Sequence, residues 1–375
     1  MKVKALFLHF FDLSPHSGIS KKILYQLDAL RDCAVDVELC YMEIDEDGHQ
    51  KRVCGKTVLK DFGNGIYAKF MKWFCFDHLT KYILDNEINL IYVRSFYNTN
   101  PQLLHMLGKL RKAKVKVVME FPTYPYDKET KGQPFNYALI FFLNRLFRKM
   151  LPLYVDKAVT FTDVEKIHGI PTIRISNGID FKSIKLKSPK EKGNIINLIA
   201  VAEIHYWHGF DRIIAGLGEY YRNNPENKVF LSIVGEGKEA DVNPLVEMTK
   251  VLNIEKYVRF LGFKHGEELD VLFEQADFGI ASLARHRSDI YKIKTLKNRE
   301  YAARGIPFIY SEIDDDFENM PYIIKADPDD TPISVQKIVD FYYSLNMTPL
   351  EIRNTIIETL SWKVQMKHVI DKTFD

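Results

Sequence analysis

Apolar residues in this chain come in short runs, and stretches with helical spacing separate the runs. KALFLHF (4–10), LIYVRS (90–95), KVKVVME (114–120) and AVTFT (158–162) have the length and content of buried strands. ISKKILYQLDALRD (19–32) repeats its apolar positions at helical intervals between the first two of these runs. A second set follows: IINLIAVAE (195–203), VFLSIVGEG (229–237), VRFLG (258–262), ADFGIAS (276–282) and PFIY (307–310) as strands. Helical segments lie between them at HGFDRIIAGLGEYYRN (208–223), around Pro244 to Leu252, and through Leu272. Residues 41–70 are polar and glycine-bearing and give the weakest signal.

Such alternation predicts an α/β protein with two Rossmann-like domains facing across a cleft, each binding its ligand outside the carboxyl ends of its strands. FKSIKLKSPKEKGN (181–194) is charged and linker-like. The expected division is a first domain at 1–178, a second at 179–352, and C-terminal helices, from 353 to 375, returning toward the first domain. A chain of 375 residues is long enough for two cores.

Composition narrows the class. With 46% hydrophobic and 27% charged residues the chain is expected to fold and to be soluble. MKVKALFLHF reads as a first strand and not as a signal peptide, and no run is long enough to span a bilayer, so a cytoplasmic protein is expected. Cys33, Cys40, Cys54 and Cys75 have no metal-ligand spacing and read as reduced thiols. The net charge of +2 hides a polarity: residues 1–180 hold 26 Lys and Arg against 20 Asp and Glu, and residues 181–375 hold 26 against 30. Around 135–154, PFNYALIFFLNRLFRKMLPLY interleaves apolar residues with Arg145, Arg148 and Lys149. It suits a helix lying in the membrane interface at the inner face or presenting an apolar surface to a lipid-linked substrate, and equally a core helix with a cationic edge. Nucleic acid is not expected, since no reading module is present.

Candidate chemistry gathers at the ends of the expected strands. KIKTLKNREYAARGIPFIY (292–310) reads as a short helix capped by Thr295 and stopped by Gly305, with Leu296 and Ala303 on its buried face. Lys292, Lys294 and Lys297 would meet a diphosphate and Glu300 would accept from ribose hydroxyls; a solvated charged face is the plainer alternative. Arg285, His286 and Arg287 precede this helix in a loop and add positive charge, an electrostatic aid to a departing diphosphate that needs no metal. His205 and His208 lack a zinc ligand set, and His208 near a diphosphate would donate a hydrogen bond or become cationic. Asp211 and Arg212 read as a pair. Gly235 and Gly237 would let a base or phosphate approach the backbone, and Gly18 would turn N–H groups toward an anion. In the first half, Glu120 is a candidate acceptor-site carboxylate, with Arg94 and Ser95 nearby and Tyr124, Tyr126 and Asp127 suited to a sugar. A salt bridge or backbone anchor is the alternative for Glu120.

SGIS (17–20), SNGID (176–180), WHGFDRII (207–214), VGEG (234–237), ADFGIASL (276–283) and LKNREYAARGIPFIY (296–310) together resemble the retaining, nucleotide-sugar-dependent glycosyltransferases of family four, especially a branch from bacterial surface-polysaccharide gene clusters. The resemblance implies the GT-B fold, a nucleotide diphosphate sugar as donor and no tightly bound cofactor. It also implies a saccharide or lipid-linked acceptor, front-face transfer with retention, and domain closure around the substrates. It assigns the ribose to Glu300. The chain departs from the family where a basic pair binds the diphosphate, having Glu203 and His208, and eight residues before Glu300, where Lys292 replaces a glutamate. A nucleotide-sugar epimerase or hydrolase of the same fold, or a noncatalytic sugar-binding protein, are the competing readings.

Overall fold

Strands that are apolar on both faces need cover on both faces, and the runs described above are arranged to receive it. The computed structural model describes residues 2–14, 17–126 and 137–375. Asp127 and the first residues of the 135–154 segment lie outside the described residues. The chain divides into two units, Met1–Ser176 with Trp362–Asp375, and Asn177–Ser361.

In the first unit one sheet holds β1 (Lys4–Leu8), β2 (Asp36–Ile44), β3 (Gln50–Cys54), β4 (Thr57–Asp61), β5 (Leu90–Arg94), β6 (Lys116–Phe121), β7 (Lys157–Thr160), β8 (Lys166–Ile167) and β9 (Ile170–Arg174). Their order is β4-β3-β2-β1-β5-β6-β7-β9-β8. The centre, from β2 to β9, is parallel, and β3, β4 and β8 add antiparallel edges. The polar 41–70 region thus supplies β3, which buries the polar Gln50 and Arg52, and the exposed edge strand β4, and neither carries a strong apolar signal. The helices are α1 (Gly18–Asp32), α2 (Gly65–Met71), α3 (Asp77–Asp85), α4 (Pro101–Lys112) and α5 (Ala138–Phe147). Because side chains alternate along a strand, Leu6 and Leu8 join Leu79, Ile83, Leu103 and Leu107 of α3 and α4, while Ala5 and Phe7 join Ile23, Leu27 and Leu30 of α1. The C-terminal helix Trp362–Phe374 closes this second face with Trp362, Met366 and Val369.

The second unit has β10 (Ile195–Val201), β11 (Lys228–Val234), β12 (Val258–Phe260), β13 (Phe278–Ile280), β14 (Phe308–Tyr310) and β15 (Ile323–Lys325), ordered β12-β11-β10-β13-β14-β15. Every pairing is parallel. In chain order this is third, second, first, fourth, fifth, sixth, the doubly wound arrangement whose connections diverge between β10 and β13. On one face lie α6 (Phe210–Arg222), α7 (Glu239–Val251) and, further along the chain, α10 (Val335–Ser344). The other face is covered by α8 (Gly266–Gln275), α9 (Leu296–Arg304) and α11 (Pro349–Leu360). The C-terminal helix is α12. α7 starts at Glu239, ahead of the expected Pro244, which sits inside it.

Candidate functional site

In doubly wound sheets a ligand site forms where neighbouring connections leave in opposite directions, and in the second unit that point lies past the carboxyl ends of β10 and β13. Three strand exits are stitched together there. Leu283 N–H donates to the His208 carbonyl (2.9 Å), and Ser311 N–H donates to the Ser282 carbonyl (3.0 Å). The segments after β10, β13 and β14 therefore run side by side and carry His208, Arg285 and Glu312. α9 adds Lys297 from the adjoining helix, with Thr295 capping the Asn298 N–H as expected (3.5 Å) and Gly305 closing the helix at φ 77°.

Expectation and structure differ over which side of α9 is buried. Leu296 is 53% exposed, whereas Ala303 is fully buried as expected. Arg299 is buried instead, and it bonds to Asp314, Asp316 and the carbonyls of Asn177 and Thr295. The helix thus has a structural use for a charged residue, one that an apolar stripe does not reveal.

The cations separate into paired and unpaired sets. Arg287 is held by both oxygens of Asp211 (2.9 and 2.7 Å) and by Asp330 (2.7 Å). Lys292 pairs with Asp315 (2.8 Å) and Lys294 lies 3.9 Å from Asp316. Arg212 is buried and bonds to Asp329 and to the carbonyls of Leu283, Asp327 and Thr331, so the expected Asp211 and Arg212 pair does not form. The Lys297 Nζ and the Arg285 Nε, by contrast, are buried without hydrogen-bond partners. Burial, then the Arg285 charge, brings the Lys297 amine down to about 7. Glu312, which the strand pattern did not single out, is 1% exposed with neither carboxylate oxygen bonded. Burial pushes its carboxyl up to about 7 against the pull of Arg285 and Lys297. Its position, immediately after the short apolar run PFIYS, was the available signal.

His208 shares this neighbourhood. Burial first, then Lys297, Arg285 and His205, lowers its pKa to about 2, which favours the neutral, hydrogen-bond-donating imidazole over the cationic alternative. Its Nδ1 accepts from the His205 N–H (3.3 Å), which leaves the proton on Nε2 as a neutral donor. Glu300 lies at the middle of α9, three residues after Lys297, its Oε1 accepting from Arg304 Nε and NH2 (3.0 Å each). A Cβ on Gly235, whose φ is 132°, would stand 1.7 Å from the Ala202 carbonyl oxygen, and one on Gly237 would stand 2.5 Å from that of Ile204. The chain's own 202–204 backbone stands against both glycines, which is a structural need for the missing side chains.

In the first unit the connections diverge between β1 and β5. Glu120 is wholly buried beneath α1. It accepts from Gln26 Nε2 (2.7 Å), the Tyr92 hydroxyl (2.6 Å) and Arg94, its cross-strand neighbour. Burial opposes its charge, but Arg94, Lys22, Tyr92 and Gln26 together hold its carboxyl below the ordinary range. His9, just past β1, is a second buried group missed because it lies within an apolar run. Burial and then Arg94 lower its pKa to about 4. Gly18 opens α1, where Ser17 caps the Ser20 N–H and no atom lies within 4 Å of where a Cβ would be. Tyr126 is buried and stacks on Tyr97 (3.8 Å between centroids).

Among the described residues no group of three or more His, Cys, Asp or Glu converges as a metal-ligand set, and no helix is long and apolar enough to cross a membrane. All four cysteines are unbridged.

Two Rossmann-like units of this build give the chain the GT-B architecture. Among solved structures it is similar to a glycosyltransferase from Rickettsia africae ESF-5, with 12% identity over 99% of this chain and 98% of that one and a TM-score of 0.65. It is likewise similar to a sucrose-phosphate synthase from Thermosynechococcus elongatus, at 13% identity over 99% of each chain and a TM-score of 0.65. The lipopolysaccharide outer core galactosyltransferase WaaB in its apo form shares 13% identity over 99% of each chain, with a TM-score of 0.59. At these identities the likeness is one of fold. No protein-family model matches the chain, and no curated protein matches it.

Proposed function

We propose that this protein is a glycosyltransferase that moves a glycosyl unit from a nucleotide diphosphate sugar to an acceptor hydroxyl, with retention of configuration. The observation that carries the reading is that two half-buried cations at the divergence point of the second unit, Lys297 and Arg285, bury the Nζ of one and the Nε of the other without a hydrogen-bond partner. In this reading they take the donor diphosphate and offset the charge that builds on it as the glycosyl bond breaks. The neutral His208 donates from Nε2 to the same group, and Glu300 accepts from ribose hydroxyls. Lys294 and Arg287, tied to aspartates, set the field around the site. Retention is supported by the family-four motifs alone.

The acceptor side belongs to the first unit in this proposal, at the carboxyl ends of β1 and β5. Glu120 acts there by holding Arg94 and Tyr92, and Gly18 presents the start of α1. The acceptor is proposed to be a saccharide or a lipid-linked glycan of surface-polysaccharide synthesis, met at the inner face of a membrane. Exposed Leu139, Phe142 and Leu146 form one stripe of α5, with Arg145 and Lys149 beside it, which suits an anionic lipid interface. The outer-core galactosyltransferase of the same fold agrees with that class of acceptor.

Calorimetric titration with UDP, GDP and dTDP tests the donor assignment. One of them is expected to bind, about tenfold or more weakly to Lys297→Ala and to Glu300→Gln. Unchanged affinity in both folded variants would defeat these assignments.

A further inference from the structure

The second unit carries more unsatisfied polar groups than a diphosphate site requires. Besides Lys297 Nζ and Arg285 Nε, both oxygens of Glu312 and the Ser282 hydroxyl are buried without partners. An ordinary structural ion pair does not account for them, because no nitrogen of Lys297 or Arg285 lies within hydrogen-bonding distance of Glu312. Lys325 reaches only the Glu312 backbone carbonyl, and its amine is paired with Glu318.

The mixture of charges limits what can satisfy the group. A simple anion would match Lys297 and Arg285 but be repelled by Glu312, and a cation would be repelled by the other two. A ligand that presents charged acceptor oxygens and, a few atoms away, hydroxyl donors would satisfy all of them at once. We propose that Glu312 is the ligand of the donor's glycosyl group, its carboxylate accepting from sugar hydroxyls while Lys297 and Arg285 hold the diphosphate. The inference rests on the nucleotide-sugar reading above and deepens it by assigning the sugar contact to a residue beyond β14. It also gives the site a carboxylate at the sugar, in a chain whose Lys292 is engaged with Asp315. The groups facing Glu312 are Arg285, Lys297, Asp314 and Tyr310, and burial brings its carboxyl up to about 7, so its acceptor capacity rises as the pH passes through that value.

The test compares each nucleotide diphosphate with its sugar conjugate, which separates the glycosyl contact from those to ribose and diphosphate. UDP and UDP-glucose, GDP and GDP-mannose, and dTDP and dTDP-glucose are titrated into the full chain and into Glu312→Gln. For the pair that binds, Glu312→Gln is expected to weaken the sugar conjugate by about tenfold while leaving the bare diphosphate as tight or tighter. An equal change for both, or no change, overturns the assignment while the donor reading stands. If no bare diphosphate binds the unaltered protein, the donor reading falls and this inference falls with it. Should Glu312→Gln fail to fold, the unaltered protein still decides the matter. The ratio of conjugate to diphosphate affinity is expected to rise severalfold from pH 6 to pH 8, since titration of Lys297 affects both ligands alike and cancels. A flat ratio contradicts the role of Glu312.

Discussion

Lys297 and Glu312 are an uncomfortable pair for a folded protein to keep, and their discomfort is measurable. Lys297 has its amine lowered from 10.5 to about 7, so below pH 7 the folded chain carries a buried charge that the unfolded chain carries in water. That cost fades as the pH rises from 7 toward 10.5, where the unfolded amine also loses its proton. Glu312 behaves in the opposite sense. With its carboxyl raised from 4.5 to about 7, its cost is absent below 4.5 and complete above 7. Lys297→Met should therefore raise the melting temperature by about 2–8 °C at pH 6, where Glu312 is mostly neutral, with the gain vanishing by pH 10. Thermal scans at the two pH values check this, and an equal gain at both would show that the lysine is not held as described. Lys297 was legible as a candidate from its place beside Thr295, because caps and glycine stops are local chemistry. The burial of its amine was not, because Arg285 and Glu312, the charged groups beside it, come from the segments after β13 and β14 and meet it only in the fold.

At the scale of elements, the parallel centre of each sheet was legible because β1, β5, β6 and β10 are apolar on both faces. β3 and β4 were not, since β3 buries the polar Gln50 and Arg52 and β4 is an exposed edge, so neither has a continuous apolar run to read. The glycine turn after β11 is a close approach to residues 202–204, a contact that only the fold shows. The α5 segment left two readings open, and the structure exposes its apolar stripe, with Phe142 63% and Leu146 60% accessible. If that stripe meets anionic lipid, each neighbouring cation contributes about 1 kcal/mol to the attraction. The double variant Arg145→Glu, Lys149→Glu should then lose more than tenfold in binding to phosphatidylglycerol vesicles, and Phe142→Ser should weaken it at any salt concentration. Vesicle flotation reads both effects, and binding that is equally strong for all variants would remove the membrane from the account.

At the scale of the whole chain, the last helix belongs to the first unit: α12 buries Trp362 and Met366 beside α1, while α11 packs with α9 in the second. Alternating strands and helices suffice to indicate two doubly wound sheets with a C-terminal return to the first, but which helix makes that return, α12 and not α11, is tertiary and has no local signal. The same holds for Glu120, whose candidacy came from its place at a strand end and whose surroundings, Gln26 from α1 and Arg94 from β5, assemble only in three dimensions. The central claim is transfer from a nucleotide sugar to an acceptor. The measurement that tests it most directly is product mass after the full chain is incubated with a panel of nucleotide sugars, with and without a membrane lipid extract. One nucleotide sugar is expected to be consumed only when the extract is present, yielding free nucleotide diphosphate and an extract component heavier by one glycosyl residue. Consumption or isomerisation of the nucleotide sugar without an acceptor, or binding with no turnover in either condition, would contradict it.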